Sequence, residues 1–392
     1  MSFRSAFLNL SARVPLQRSR PEKRRLVVSL GGLTREGAGW RTGWSYRDGE
    51  RCREVTVSTA DPSGFLAGVG DAALPPSVLM GMLGPFQSLQ IRGGKICPQL
   101  REGAAAAARV MQERFEESHP VLLKLHTRKL QKQIPKDSPL CVCFTGGVDS
   151  CFSALDLREQ SSALMFVRGF DIPTANRTLY EQVKKRLDLL AADLDLPLIE
   201  METNLRLETD FRQILWGKRA FGVALASMAH LLPDSQGGLA IPASYDVSNQ
   251  LTAGSMPELD PLWSSARRRI IHHGVESSRY EKIRRLAEWP LALKHLRVCW
   301  MNPENAYNCG RCEKCVRTLV LLEMAGLSKF ASAFDGPLEL SKLPDLKMTS
   351  SLVFSHWEQI YDLLKENSRV DALRRAVQNL LDRNRILLGL DG

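Results

Sequence analysis

Five apolar residues, Leu140 to Phe144, run directly into Thr145-Gly146-Gly147-Val148-Asp149-Ser150. A run this short and apolar reads as a buried strand, and the residues behind it as a turn that opens a helix. Gly146 and Gly147 can reach positive φ and let the backbone approach a ligand closely. The amides of such a turn, and of the helix N-terminus behind it, then face an anion. Thr145 and Ser150 add hydroxyl donors. Asp149 can orient the loop or help hold a magnesium bound to a nucleotide. An ordinary strand–turn–helix junction with an Asp cap shares some of this pattern. Six suitable residues in succession after a strand favour a phosphate loop. No Walker A pattern occurs in the 392 residues, which disfavours kinase-like or GTPase-like γ-phosphate transfer.

The flanking texture agrees with that reading. Residues 140–144, 163–167, 198–201 and 239–242 read as strands, and 149–158, 179–194 and 221–231 as helices. This alternation predicts an α/β fold, a parallel-sheet, Rossmann-like nucleotide domain with right-handed crossovers. The tail is helical again, with Trp357, Ile360, Tyr361 and Leu364 spaced i, i+3, i+4, i+7. Ahead of residue 135, short strands are expected at 25–30, 43–46, 54–58 and 88–91, separated by Gly-rich turns. Pro75-Pro76 is expected to break the chain, 103–115 to form an Ala-rich helix and 121–133 another. Three regions follow. Residues 1–135 form an additional N-terminal α+β or β-rich module with a basic tail over 1–25. Residues 138–330 form the nucleotide domain, and 331–392 a helical extension. The stretch 135–139 marks the first boundary.

Nine cysteines are unevenly placed, and Cys299, Cys309, Cys312 and Cys315 fall within seventeen positions. A secreted disulfide scaffold is shorter and more evenly stapled, so these four read as metal ligands in a reducing compartment. Four soft thiolates suit tetrahedral zinc. An iron–sulfur cluster uses similar spacing, and a redox or sulfur-carrying role is a further reading. Gly310 permits a tight knuckle, while Arg311, Lys314 and Arg317 offset the thiolate charge. A closed four-ligand set leaves no open coordination position, which makes structural zinc the default.

The loop resembles the Ser-Gly-Gly-x-Asp-Ser pyrophosphate (PP) loop of the ATP pyrophosphatase superfamily, with Thr145 in place of the first Ser. Val298-Cys-Trp300 and then Asn308-Cys-Gly-Arg-Cys-Glu-Lys-Cys-Val-Arg317 are similar to the zinc signature of the 7-cyano-7-deazaguanine synthase family. The two motifs occur in that family's order, and the resemblance covers about residues 138–326. It implies a PP-loop fold that releases AMP and pyrophosphate from ATP. By the same resemblance Thr145, Gly146, Gly147, Val148, Asp149 and Ser150 bind ATP and Mg2+, with Asp149 and Ser150 catalytic and Arg168 near the nucleotide. Cys299, Cys309, Cys312 and Cys315 bind Zn2+. The implied reaction is ATP-dependent C–N ligation. A carboxylate, 7-carboxy-7-deazaguanine or a related acid, is adenylated and joined to ammonia or another amine as an amide, which in that family a second activation converts to a nitrile. Residues 1–135 and 330–392 exceed the family's usual length. The segment 244–273, with Ser244, Tyr245, Asp246, Asn249, Gly254, Ser255, Asp260 and Trp263, has no residue-by-residue match and is the natural substrate-reading part.

Lys plus Arg number 53 against 43 Asp plus Glu, a net charge of +10. Such a surface attracts polyanions, among them ATP, phosphorylated substrates and RNA. The basic runs at 267–269, 284–285 and 374–375 lack interleaved aromatics, so RNA has no specific support. Cys141 and Cys143 share one face of a strand and read as buried apolar residues. Cys151 is the sulfur carrier of a rival reading, a tRNA-thiolating sulfur transferase. Arg168 and Asp171 end a strand at the carboxyl edge, where α/β sites form, or they pair with each other. Lys218 and Arg219 neutralise pyrophosphate or form a solvated face. His272-His273 move protons or are surface polar residues. A third reading is a non-catalytic nucleotide-binding adaptor that takes a protein partner through residues 1–135. No apolar stretch approaches the roughly 18–20 residues of a spanning helix, so no membrane partner is expected. No apolar h-region follows the start, which predicts a cytoplasmic protein, with 1–25 a mobile basic tail or a presequence. A homodimer is compatible with all of this.

Overall fold

The computed structural model describes residues 24–49, 51–127, 135, 137–209, 216–247, 252–348, 350–365 and 370–390. Residues 1–23 of the expected basic tail and Asn249 lie outside them, while Arg25, the tail's last residue, begins a strand. The strands are β1 (Arg25–Leu30), β2 (Thr34–Glu36), β3 (Gly39–Asp48), β4 (Arg51–Thr59), β5 (Ser88–Arg92), β6 (Leu122–Lys124), β7 (Leu140–Cys143), β8 (Ser161–Arg168), β9 (Leu198–Thr203), β10 (Gly238–Pro242) and β11 (Arg269–His273). They form one 11-stranded sheet in the order β11-β10-β7-β8-β9-β4-β3-β1-β5-β6, with β2 on β3. Pairing is parallel from β11 to β9 and from β1 to β6, and antiparallel between. The fold is therefore α/β on a mostly parallel sheet.

Helices of seven residues or more are α1 (Phe65–Leu83), α2 (Pro98–Arg114), α3 (Val148–Asp156), α4 (Arg177–Asp193), α5 (Phe221–Ala229), α6 (Arg279–Arg285), α7 (Glu313–Met324), α8 (Ser351–Lys365) and α9 (Asp371–Leu387). Around β7, β8 and β10 the sheet is covered on both faces, which is why these strands are apolar runs, whereas β1 and β4 alternate and bury one face. Along β7 and just beyond it, Cys141 and Cys143 join the core that holds α5. Leu140, Val142 and Phe144 join the core that holds α3 and α4.

The joint between the two halves of the sheet is β4 against β9, Val57 opposite Thr203. Asn204 seals it: Oδ1 accepts from Thr56 N at 2.8 Å and Nδ2 donates to Glu54 O at 2.9 Å.

Two expectations are corrected. Residues 122–124 are strand, not helix, and Leu123 sits opposite Leu89 on β5. Pairing with a neighbouring strand outweighs the local helical pattern there; 128–134 lie outside the described residues. Pro75-Pro76 does not break the chain but lies inside α1. Pro76 has no N–H for the carbonyl of Ala72, four residues back. Ser227 Oγ on α5 donates to that carbonyl at 2.6 Å instead. The helix is buried along 72–74, 78–79 and 82, so tertiary packing holds it across the two prolines.

Candidate functional site

β7 delivers the chain into Gly146, which sits at φ +73°, and Gly147 caps α3 in an extended conformation. A side chain at Gly146 is disfavoured by the positive φ and by Leu187 Cδ2, 3.1 Å from a would-be Cβ. Ser150 Oγ donates to Gly147 O at 3.0 Å and accepts from Thr145 N at 3.3 Å, which folds the loop on itself. Gly146 O accepts from Arg297 N at 2.8 Å, which ties the loop to the segment leading into the cysteine cluster.

The loop forms one wall of a cavity of about 250 Å³ at the carboxyl ends of β7, β8 and β10. Thr145, Gly147, Val148, Asp149 and Ser150 line that wall. Arg279, Arg297 and Lys314 also border the cavity. Its apolar part carries Phe170 and Trp216, whose ring centroids are 4.9 Å apart. Ligands of open α/β sheets bind in this position, outside the carboxyl ends of parallel strands.

Charge at the site is dominated by cations. Arg279 Nη2 lies 2.7 Å from Asp149 Oδ2, and Lys282 Nζ 3.8 Å from Asp149 Oδ1. Burial works to raise the Asp149 carboxyl, but Arg279, Lys282, Lys314 and Arg317 together hold it below the ordinary carboxylate range. Burial pushes the Lys282 and Lys314 ammonium groups down; Asp149 opposes this for both. Four cations thus act on one carboxylate; the other acids nearby are Asp171, which lines the cavity and acts on Lys314 and Arg297, and Glu313, 2.9 Å from Arg317 Nε. A half-closed basic site of this kind stabilises a polyanion. Asp149 Oδ1 is buried and accepts no hydrogen bond, with the Lys282 ammonium 3.8 Å away, so it could serve as a ligand to a divalent cation carried by phosphates.

Five of the six loop residues line the cavity; Gly146 shapes the turn behind them, and Arg168 does not join them. Arg168 Nη1 pairs with Glu202 at 2.7 Å and its guanidinium stacks 4.3 Å from the Tyr180 ring, while Asp171 lines the cavity. Arg219 pairs with Glu117 at 3.1 Å and lies over Phe115. His272 and His273 are not loose surface residues. His272 Nδ1 is 2.7 Å from buried Asp260, which also accepts from Ser255 Oγ, and His273 contacts Ser153 and Asp156. Arg279, Lys282 and Arg297 carry the site's charge without having been singled out by sequence. The signal available was the basic run Arg279-Tyr-Glu-Lys-Ile-Arg-Arg285, which reads equally well as a solvated helix.

The four Sγ atoms of Cys299, Cys309, Cys312 and Cys315 lie within 4.8 Å of one another. Cys299–Cys309, Cys299–Cys312 and Cys309–Cys315 are 3.6, 3.9 and 3.9 Å apart. Tetrahedral zinc with Zn–S of about 2.3 Å needs roughly 3.8 Å between sulfurs, so the cluster fits such an ion. Gly310 at φ +63° makes the knuckle, and Cys312 N donates to Cys309 Sγ at 3.3 Å. Buried Asn308 supports it: Oδ1 accepts from Val298 N and Cys299 N at 2.8 and 3.1 Å. Its Nδ2 donates to Leu296 O and Ala333 O at 2.7 and 2.9 Å. Cys299 itself lines the cavity, so the cluster forms part of its wall. No helix among the described residues is long and apolar enough to cross a membrane. Comparison of the chain with protein-family models, curated proteins and solved structures gives no significant match.

Proposed function

We propose that the chain is an ATP-dependent ligase of the ATP pyrophosphatase type, related to 7-cyano-7-deazaguanine synthase. The observation that carries this reading is the Gly146–Ser150 loop at the carboxyl edge of β7, with Asp149 ringed by Arg279, Lys282, Lys314 and Arg317. The loop amides and the Thr145 and Ser150 hydroxyls hold the β,γ-pyrophosphate, and the cations balance its charge. A substrate carboxylate oxygen attacks the α-phosphorus. The bond from phosphorus to the bridging oxygen breaks, and its electron pair leaves with pyrophosphate. Ammonia or another amine then attacks the acyl carbon, the amine proton is lost to solvent, and AMP departs. The carboxylate by itself is a poor electrophile; the adenylate provides the leaving group, and the cavity holds the partners in place.

Asp149 Oδ1 is the oxygen that would hold Mg2+, which when bound offsets phosphate charge. Cys299, Cys309, Cys312 and Cys315 would hold Zn2+, which when bound fixes the wall that Cys299 contributes. The sulfur-transfer reading is weaker, because Cys151 is fully buried and burial pushes its thiol up, away from the thiolate such chemistry uses. The adaptor reading differs from ligation in forming none of its products. Purified protein with ATP, magnesium, 7-carboxy-7-deazaguanine and ammonium is expected to yield AMP, pyrophosphate and a new amide or nitrile mass. ATP bound without AMP formation would end the ligase reading for that acid.

A further inference from the structure

Next to the loop cavity lies a second chamber of about 310 Å³, and the two share Ser244 and Arg279 as a common wall. Tyr245, Arg317, Leu321 and, from α8, His356 and Ile360 enclose it. The rings of Tyr245 and His356 stack with centroids 5.5 Å apart and planes within 9°. The next residue, fully buried Trp357, donates from Nε1 to Glu313 Oε1 at 3.0 Å, and Glu313 in turn pairs with Arg317. One turn of α8 therefore builds a wall of the chamber and orients the arginine that faces it.

Two arginines line this space, with Lys314 within electrostatic reach of His356. The acids on the lining are Asp246 and Asp362. Asp362 is paired with Lys365 at 2.7 Å, and Asp246 acts on Lys282. We infer that the chamber takes up the pyrophosphate released from the loop, an inorganic polyanion, as it passes Arg279. The inference rests on the proposed ligase chemistry. There the adenylate fills the apolar end of the first cavity, so the pyrophosphate at the charged end leaves by a separate route. Arg279, held by Asp149, borders both spaces and faces the anion on its way, and Arg317 receives it.

The test uses the full chain with magnesium and saturating α,β-methylene-ATP, which blocks the loop. Calorimetric titration with inorganic pyrophosphate is expected to show one remaining site per chain. His356→Glu places a carboxylate in that chamber and is expected to weaken the site at least tenfold. His356→Phe keeps a ring against Tyr245 and is expected to retain it. Both variants are expected to keep binding the nucleotide analogue, which also reports that both are folded. Absence of pyrophosphate binding with the loop filled, or binding that His356→Glu leaves unchanged, overturns the inference and leaves the ligase reading standing. If the analogue does not bind at all, it is the ligase reading that fails. The chamber is then judged by whether pyrophosphate binds the uncomplexed chain and is lost in His356→Glu.

Discussion

Arg279 donates from Nη2 to Asp149 Oδ2 at 2.7 Å, joining α6 to the start of α3 across 130 residues of chain. Each side chain is only 16% exposed, so the pair is held largely out of water. Removing one partner leaves the other buried and undercompensated. Arg279→Met is expected to destabilise the protein by about 3 kcal/mol in urea unfolding, because Lys282 still reaches Asp149. Asp149→Asn in that background should recover part of the loss. Additive losses would mean the two residues do not act as a pair.

The cysteine cluster should carry one zinc per chain. Elemental analysis of the purified protein checks this, and Cys309→Ser is expected to lose the metal. Because Arg297 N donates to Gly146 O and Asn308 holds Val298 and Cys299, loosening the cluster also loosens the loop. Chelation is therefore expected to lower both thermal stability and ATP affinity. An unchanged ATP affinity after metal loss would uncouple the two.

The α/β strands and the Gly146-Gly147 turn into α3 were legible because each has a local signature. Strands covered on both faces become apolar runs, as 140–144 does, and Gly146-Gly147 marks a turn that only glycine makes easily. The cysteine cluster was legible for a similar reason, since its spacing is its geometry. The cations were not. Arg279 and Lys282 reach Asp149 from a helix 130 residues away, and nothing in their neighbours distinguishes them from solvated charges. Arg168 shows the reverse case: it ends a strand at the right edge, but Glu202 on the adjacent strand claims it. The contribution of α8 was also hidden, because His356 and Trp357 acquire meaning only beside Tyr245 and Glu313.

His356 should make the fold acid-sensitive. Burial, followed by the charges of Arg317, Arg279 and Lys314, pushes its imidazole down to about 2. Its folded value is below the unfolded value of about 6.5, so the unfolded chain binds the extra proton between them. Stability from this group is intact above about pH 6.5 and declines as pH falls, by at most ~1.4 kcal/mol per unit. Asp149, also depressed, adds its own loss only at lower pH, as its carboxyl protonates below the ordinary carboxylate range. His356→Phe is expected to flatten the decline between pH 6.5 and 4.5 in urea unfolding. An identical slope in wild type and variant would remove His356 as its source.

Ser227 and Pro76 offer a cycle that tests how a helix survives two interior prolines. Pro76 cannot donate to Ala72 O, and Ser227 Oγ does so at 2.6 Å from α5. Ser227 is fully buried, so Ser227→Ala leaves that carbonyl without its donor at a cost of about 1–3 kcal/mol. Pro76→Ala restores an N–H four residues after Ala72 and with it the ordinary helical bond. In the Pro76→Ala background the serine has less to supply, and Ser227→Ala is expected to cost under half as much. Thermal or urea unfolding of the four proteins gives the coupling directly. A cost that is the same in both backgrounds would show that Ser227 stabilises α1 by packing alone, and that the carbonyl of Ala72 is satisfied some other way.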